Sequence, residues 1–176
     1  GAYGCCAFTA LVAQNTQGVQ SIFPVTPEFV IEQCDSVFTD VRIDAVKIGM
    51  LSDTDIIKAV ASVLDQYKPP FVVLDPVMVA KGGAHLLQDS AVEAIIEYLL
   101  PRADIITPNL PEAAAILGQS EAQDFERMQF QAKALHKMGV KNVLLKGGHL
   151  STDKASDCLI EANGQMSWFE SKRIDT

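Results

Sequence analysis

Polar residues that suit chemistry on phosphate stand where the apolar runs of this chain end. Asp75 closes the run Phe71-Val72-Val73-Leu74 and precedes Pro76, which places its carboxylate at a rim and not in a core. A carboxylate there can hold Mg²⁺, which takes oxygen ligands and keeps several waters beside substrate phosphates, or it can cap the turn before the proline. Asn109 and Glu112 have the spacing of a capping box, and the same Glu at a helix N-terminus could orient a metal-bound water. Lys146 ends the buried-type run Val143-Leu144-Leu145, so its charge needs an anion or an acidic partner; Gly147-Gly148 beside it would let a phosphate approach the backbone. Gln14 donates and accepts hydrogen bonds at once, which suits a heterocyclic edge such as an aminopyrimidine, or the capping of a loop. Met50 and Val77 suit the walls of a ring pocket as well as ordinary packing. His85 follows Lys81-Gly82-Gly83-Ala84 in a loop able to fold over a site, His149 adjoins the glycine pair, and His136 is expected on the surface.

A metal-holding acid, a lysine, a helix N-terminus and a glycine pair are the parts that phosphoryl transfer needs. The chain has no G-x-x-x-x-G-K-[ST], no G-x-G-x-x-G and no G-x-S-x-G, so neither a P-loop nucleotide fold nor a hydrolase elbow is indicated.

The elements that must position these groups alternate. The apolar run from Cys6 to Ala13 predicts a strand buried on both faces, ending at the polar cluster Gln14 to Gly18. Thr26-Pro27 predicts a helix start, with Val30, Cys34, Val37 and Val41 on its apolar stripe. Ala45–Gly49, Phe71–Asp75, Asp104–Thr107 and Asn142–Lys146 predict strands. Between them, helices are predicted from Asp53 to Tyr67, from Ser90 to Leu100, through Ala113–Ala115 to Gly118, and from Ser120 to Gly139. Asp157–Glu161 and Gln165–Phe169 around Ala162-Asn163-Gly164 predict a hairpin, hence an antiparallel edge. This is the order of an α/β fold with a mainly parallel sheet, in which ligands bind beyond the carboxyl ends of the strands. No linker divides the chain, so residues 1–176 are expected to form a single domain.

Composition narrows the function class. With 48% apolar and 20% charged residues in 176, the chain has a globular composition and can bury roughly two-thirds of its unfolded surface without a metal or disulfide. Fourteen basic against 22 acidic residues give a net charge of −8 without a cationic run, which argues against nucleic acid as a partner. Cys5, Cys6, Cys34 and Cys158 lack metal-ligand spacing and are expected to be buried thiols. No apolar stretch approaches a membrane span, so a cytoplasmic protein without a membrane partner is expected.

Five segments carry a resemblance. Ala10-Leu-Val-Ala-Gln-Asn-Thr-Gln-Gly-Val19, Lys47-Ile-Gly-Met-Leu51, Val73-Leu-Asp-Pro-Val77, Ile106-Thr-Pro-Asn-Leu-Pro-Glu-Ala113 and Leu145-Lys-Gly-Gly-His149 closely resemble the hydroxymethylpyrimidine/phosphomethylpyrimidine kinases of thiamin biosynthesis. The resemblance implies a ribokinase-like three-layer αβα fold, ATP, Mg²⁺ and a homodimer, and phosphorylation of 4-amino-5-hydroxymethyl-2-methylpyrimidine and then of its monophosphate. By the same resemblance Gln14 would bind the aminopyrimidine, with Val12, Met50 and Val77 lining its pocket. Asp75 and Glu112 would serve the Mg²⁺ and phosphate region, and Asn109 and Lys146 would face the nucleotide phosphates.

Relatives of this type also carry an N-terminal strand, a Gly-rich loop and a helix, and a C-terminal H-G-T-G-C anion-hole segment followed by helices. The chain matches the part between, so no catalytic base is assigned to any of its residues. A pyridoxal kinase of the same superfamily is the alternative within this class, and a non-catalytic pyrimidine-binding remnant the alternative outside it.

Overall fold

The computed structural model describes residues 1–78, 89–148, 150 and 154–173. His85 with the loop from Lys81, and His149, lie outside the described residues. The chain divides into two compact units.

The first unit comprises Gly1–Val46, Met50–Phe71 and Val77–Arg102. Its strands β1 (Ala10–Asn15) and β2 (Gly18–Pro24) form a two-stranded antiparallel sheet, with Leu11 opposite Phe23 and Val12 opposite Ile22. This corrects the buried strand expected over Cys6–Ala13: Leu11 is 50% exposed and Phe23 68% exposed. The apolar run reflects a ribbon with apolar residues on both faces, and such a run does not itself say what covers it. Asn15 makes the turn, its side-chain oxygen accepting the Gln17 N–H at 2.9 Å and the Gln20 amide at 3.0 Å. Cys5 and Cys6 are exposed, against expectation, in a leading segment without regular structure; Cys158 is buried, and that burial pushes its thiol up to about 11.

Helix α1 (Pro27–Phe38) starts as its sequence dictates, with Thr26 capping the Phe29 N–H and proline in the first turn; it stops before Val41. Helix α2 (Thr54–Tyr67) is capped by the Asp53 carboxylate on the N–H groups of Asp55 and Ile56, each at 3.0 Å, and buries Ile56, Ile57, Val60, Val63 and Leu64. Its last residue stacks on α1 through Phe38 and Tyr67, ring centroids 4.5 Å apart, while the Tyr67 hydroxyl donates to Asp35 at 2.7 Å. Helix α3 (Asp89–Ala94) already contains Ser90, where the helix was expected to begin. A π-turn over Ile95–Leu99 and a 3₁₀ turn over Leu100–Arg102 continue it, and Arg102 closes on Asp65 through two bonds of 2.7 and 2.6 Å.

The second unit comprises Lys47–Gly49, Val72–Pro76 and Ala103–Thr176. Strands β3 (Val46–Ile48), β4 (Val72–Leu74), β5 (Ile105–Ile106), β6 (Asn142–Leu145), β7 (Lys154–Ile160) and β8 (Met166–Lys172) form one sheet in that order. β4, β5 and β6 run parallel; β7 and β8 add the antiparallel edge expected from the hairpin signal. Helix α4 (Leu110–Leu117) ends at Gly118, whose φ of 62° is the left-handed conformation that glycine adopts without strain. Helix α5 (Phe125–Lys137) begins at an Asp124 cap and not at Ser120, and buries Met128, Ala132 and Leu135. Ser120 has another role, its carbonyl accepting the amide of the buried Gln131 at 2.9 Å.

Asp104 ties the amino ends of three strands together. Its carboxylate accepts the Val72 N–H at 2.8 Å and the Lys141 ammonium at 2.6 Å, and its carbonyl accepts from Asn142. No helix among the described residues is long and apolar enough to cross a membrane.

Candidate functional site

The carboxyl ends of β4, β5 and β6 lie on one edge of the sheet because these strands are parallel. Each ladder extends past its strand. The Asp75 N–H donates to the Ile48 carbonyl at 2.8 Å, Thr107 to Leu74 at 2.9 Å, and Lys146 to Pro108 at 2.8 Å. Asp75, Thr107, Asn109 and Lys146 are therefore held by backbone pairing at the rim, and their side chains project from a rigid edge.

The structure brings Asp75 and Lys146 into contact, with Nζ to Oδ1 at 2.9 Å. A second ammonium, that of Lys47 on β3, meets the other Asp75 oxygen at 3.3 Å. Asp75 is only 16% exposed at its side chain, against 39% for Lys146 and 67% for Lys47, so the inner pair is the stronger and Lys47 is screened by water. Burial pushes the Asp75 carboxyl up, but the hydrogen bond and charge of Lys146, with help from Lys47 and Thr107, outweigh it and hold the group below the usual carboxylate range. Asp75 thus lies between two ammonium groups, and these are the cations that an anion at this edge would meet.

Lys47 was not among the residues singled out from the sequence. Its signal is a cation between the apolar Val46 and Ile48 of a predicted strand.

The depressed Asp75 value has a stability consequence whose sign follows from linkage. A carboxylate with a lowered native pKa contributes stability above its unfolded value of about 3.9, and that contribution disappears as pH falls through the lower native value. Urea unfolding of the protein and of Asp75→Asn is therefore expected to show a gap at pH 7 that narrows steadily below about pH 4. A gap independent of pH would contradict the ion-pair assignment.

Asn109 and Glu112 close a capping box at the start of α4. The Asn109 oxygen accepts the Glu112 N–H at 2.9 Å and Glu112 Oε2 accepts the Asn109 N–H at 2.8 Å. Glu112 is 4% exposed, and Asn109 also pairs with Lys146 through the backbone. The cap therefore joins α4 to the rim beside Lys146.

The two glycines after Lys146 are not equivalent. The Gly147 N–H is taken by the Asp157 carboxylate at 3.0 Å, whereas Gly148 is exposed and its N–H has no acceptor among the described residues. The backbone that an anion could approach is that of Gly148.

Val12, Gln14, Met50 and Val77 belong to the first unit. Gln14 is exposed beside the register irregularity of β1, where it pairs with Val19, and its side chain makes no hydrogen bond among the described residues, Asn15 having taken the turn-capping role. It stands in a two-stranded sheet, not at a strand end of the six-stranded one as its place in the sequence suggested. Val12 is 37% exposed, Met50 is half-buried with its carbonyl accepting the Thr9 hydroxyl at 2.8 Å, and Val77 is half-buried after Pro76.

For Mg²⁺ the donor set is informative. Among the described residues no three His, Cys, Asp or Glu side chains converge, Asp75 is paired with two cations, and one Glu112 oxygen serves the cap. These residues do not make an all-protein cage. They fit a hydrated Mg²⁺ carried chiefly by the phosphates of a nucleotide, with a carboxylate at its periphery.

Comparison with known proteins places the chain in a family. Residues 1–176 match the model of the phosphomethylpyrimidine kinase family. The chain is 52% identical over 176 residues to the hydroxymethylpyrimidine/phosphomethylpyrimidine kinase of Escherichia coli, covering 100% of this chain and 66% of that protein. The chain thus spans just under two-thirds of that relative's length. Among solved structures, the phosphomethylpyrimidine kinase of Clostridium difficile superposes with a TM-score of 0.87 at 40% identity, over 97% of this chain and 73% of that one. Bacillus subtilis pyridoxal kinase in an ADP complex gives a TM-score of 0.87 at 34% identity, over 99% of this chain and 66% of that one. The ribokinase-like α/β class expected from the resemblance is thus shown, and by the match along its whole length the chain belongs to the phosphomethylpyrimidine kinase family.

Proposed function

We propose that the protein transfers the γ-phosphoryl group of ATP to the hydroxymethyl oxygen of 4-amino-5-hydroxymethyl-2-methylpyrimidine, and then a second one to the monophosphate so formed. The observation that carries this reading is the half-buried Asp75 carboxylate held between Lys146 and Lys47 at the carboxyl edge of parallel strands. Such a rim receives a polyphosphate: Lys146 meets phosphate charge, Asp75 fixes where that ammonium points, and the Gly148 N–H, which has no acceptor among the described residues, meets an oxygen. Asn109 holds the start of α4, whose N-terminal partial charge favours the same anion. Mg²⁺, held by the phosphates with Asp75 and Glu112 as its protein-side carboxylates, would neutralise part of that charge. Gln14 would read the aminopyrimidine edge and Val12, Met50 and Val77 would enclose the ring. A catalytic base is assigned to none of these residues.

The higher identity to the E. coli hydroxymethylpyrimidine/phosphomethylpyrimidine kinase, 52% against 34% for the B. subtilis pyridoxal kinase, supports the pyrimidine over pyridoxal as substrate. We also assign a homodimer; cover for Leu11, Ile22 and Phe23, exposed on a ribbon too small to be stable alone, supports it. A coupled ADP-release assay with ATP and Mg²⁺ tests the substrate: turnover with the pyrimidine is expected to exceed that with pyridoxal at least about tenfold in kcat/KM, since a matched polar edge discriminates strongly. Equal rates, or a preference for pyridoxal, would overturn the assignment.

A further inference from the structure

The antiparallel ladder between β6 and β7 stops at the pair Leu145 and Cys158. Carried two steps further, its register would put Lys146 opposite Asp157 and Gly147 opposite Ser156. Regular pairing is replaced there by a side chain, the Asp157 carboxylate accepting the Gly147 N–H at 3.0 Å. Gly147 is buried and lies so close to β7 that a Cβ on it would stand 2.0 Å from the Ser156 carbonyl oxygen. On the other side, the Lys146 N–H donates to Pro108. The Lys146–Gly147 backbone is thus clamped from both neighbours, by a carbonyl on one flank and a carboxylate on the other. Past β8, Arg173 donates to the carbonyls of Gly148 and Leu150, so the chain following the clamp is tied as well.

We propose that Asp157 is a positioning residue for Lys146: by holding the Gly147 amide it fixes the peptide from which the Lys146 ammonium reaches Asp75 and a nucleotide phosphate. The inference rests on the reading of Lys146 as a phosphate-binding residue. Asp157 acts as a hydrogen-bond acceptor, so its charge is dispensable and its oxygen is not. An amide side chain keeps one carbonyl oxygen able to take the same N–H; a methyl group does not.

Titration calorimetry of the protein with ADP and Mg²⁺ tests this in five forms: unaltered, Asp157→Ala, Asp157→Asn, Lys146→Met and the Lys146→Met/Asp157→Ala double variant. Asp157→Ala is expected to weaken ADP about tenfold, the scale of one hydrogen bond to a charged acceptor, while Asp157→Asn stays within about threefold. In the Lys146→Met background, Asp157→Ala is expected to change the affinity no further, because its effect runs through the lysine. Losses that add in the double variant, or a tenfold loss in Asp157→Asn, would overturn the proposal. The Asn variant carries the test if the Ala variant does not fold. ADP affinity unchanged in Lys146→Met would remove the phosphate role of Lys146 and this inference with it, while the substrate assay still decides the kinase reading separately.

Discussion

Lys146→Met is expected to lower kcat for phosphoryl transfer about 100- to 1,000-fold, the range seen when a preorganised group facing developing charge is removed. Methionine keeps much of the stem and loses only the ammonium, so the loss reports charge and not volume. The unfolding temperature should move little, because Asp75 keeps Lys47 as a partner and both lysine ammoniums are partly exposed. Steady-state kinetics at saturating pyrimidine with varied ATP check this. A kcat within about threefold of the unaltered protein would remove Lys146 from the chemistry.

Gly147→Ala is expected to be the most damaging small substitution at the rim. Its Cβ would meet the Ser156 carbonyl oxygen at 2.0 Å and the Met128 side chain at 3.0 Å. The thioether can turn aside, but the carbonyl belongs to the β7 backbone and cannot without breaking the sheet. Overpacking of this kind costs about 1–3 kcal/mol or more, roughly 3–10 °C in the unfolding midpoint of a domain this size. Gly148→Ala is the control: nothing lies within 4 Å of its Cβ and its φ is outside the left-handed region, so its unfolding temperature should match the unaltered protein. Thermal unfolding of the two variants side by side gives the result; equal stabilities would contradict the close approach of Gly147 to β7.

The contrast between these two glycines shows where sequence reading stops. Lys146-Gly147-Gly148 announces itself because a charge and two bare residues interrupt an apolar run, and Asp75 announces itself the same way. Those are local signals, and the structure joins the two residues at 2.9 Å. Which glycine is packed and which is open depends on the register of β7, a pairing that the hairpin signal at Ala162–Gly164 implies only coarsely. Asp157 stayed hidden for that reason, being one polar residue among several on a strand with alternating burial.

Helix starts followed a similar division. Thr26 and Asn109 cap where their spacing says they should, since a cap is a contact within four residues, and Asp53, read as the first residue of its helix, is its cap. Ser90 and Ser120 have the right residue type, but Ser90 lies inside α3 and the cap of α5 is Asp124. The β1–β2 ribbon was misread because its apolar residues occupy both faces, a pattern shared with a strand buried in a parallel sheet. Only the strand's partner distinguishes the two, and the partner here is β2, reached through the Asn15 turn that looked like the end of a strand.

Product analysis tests phosphoryl transfer to a pyrimidine alcohol most directly. The protein incubated with ATP, Mg²⁺ and the hydroxymethylpyrimidine should yield the pyrimidine monophosphate and then the diphosphate by mass spectrometry, with one ADP formed for each phosphate transferred. ADP accompanied by inorganic phosphate and an unmodified pyrimidine would contradict it.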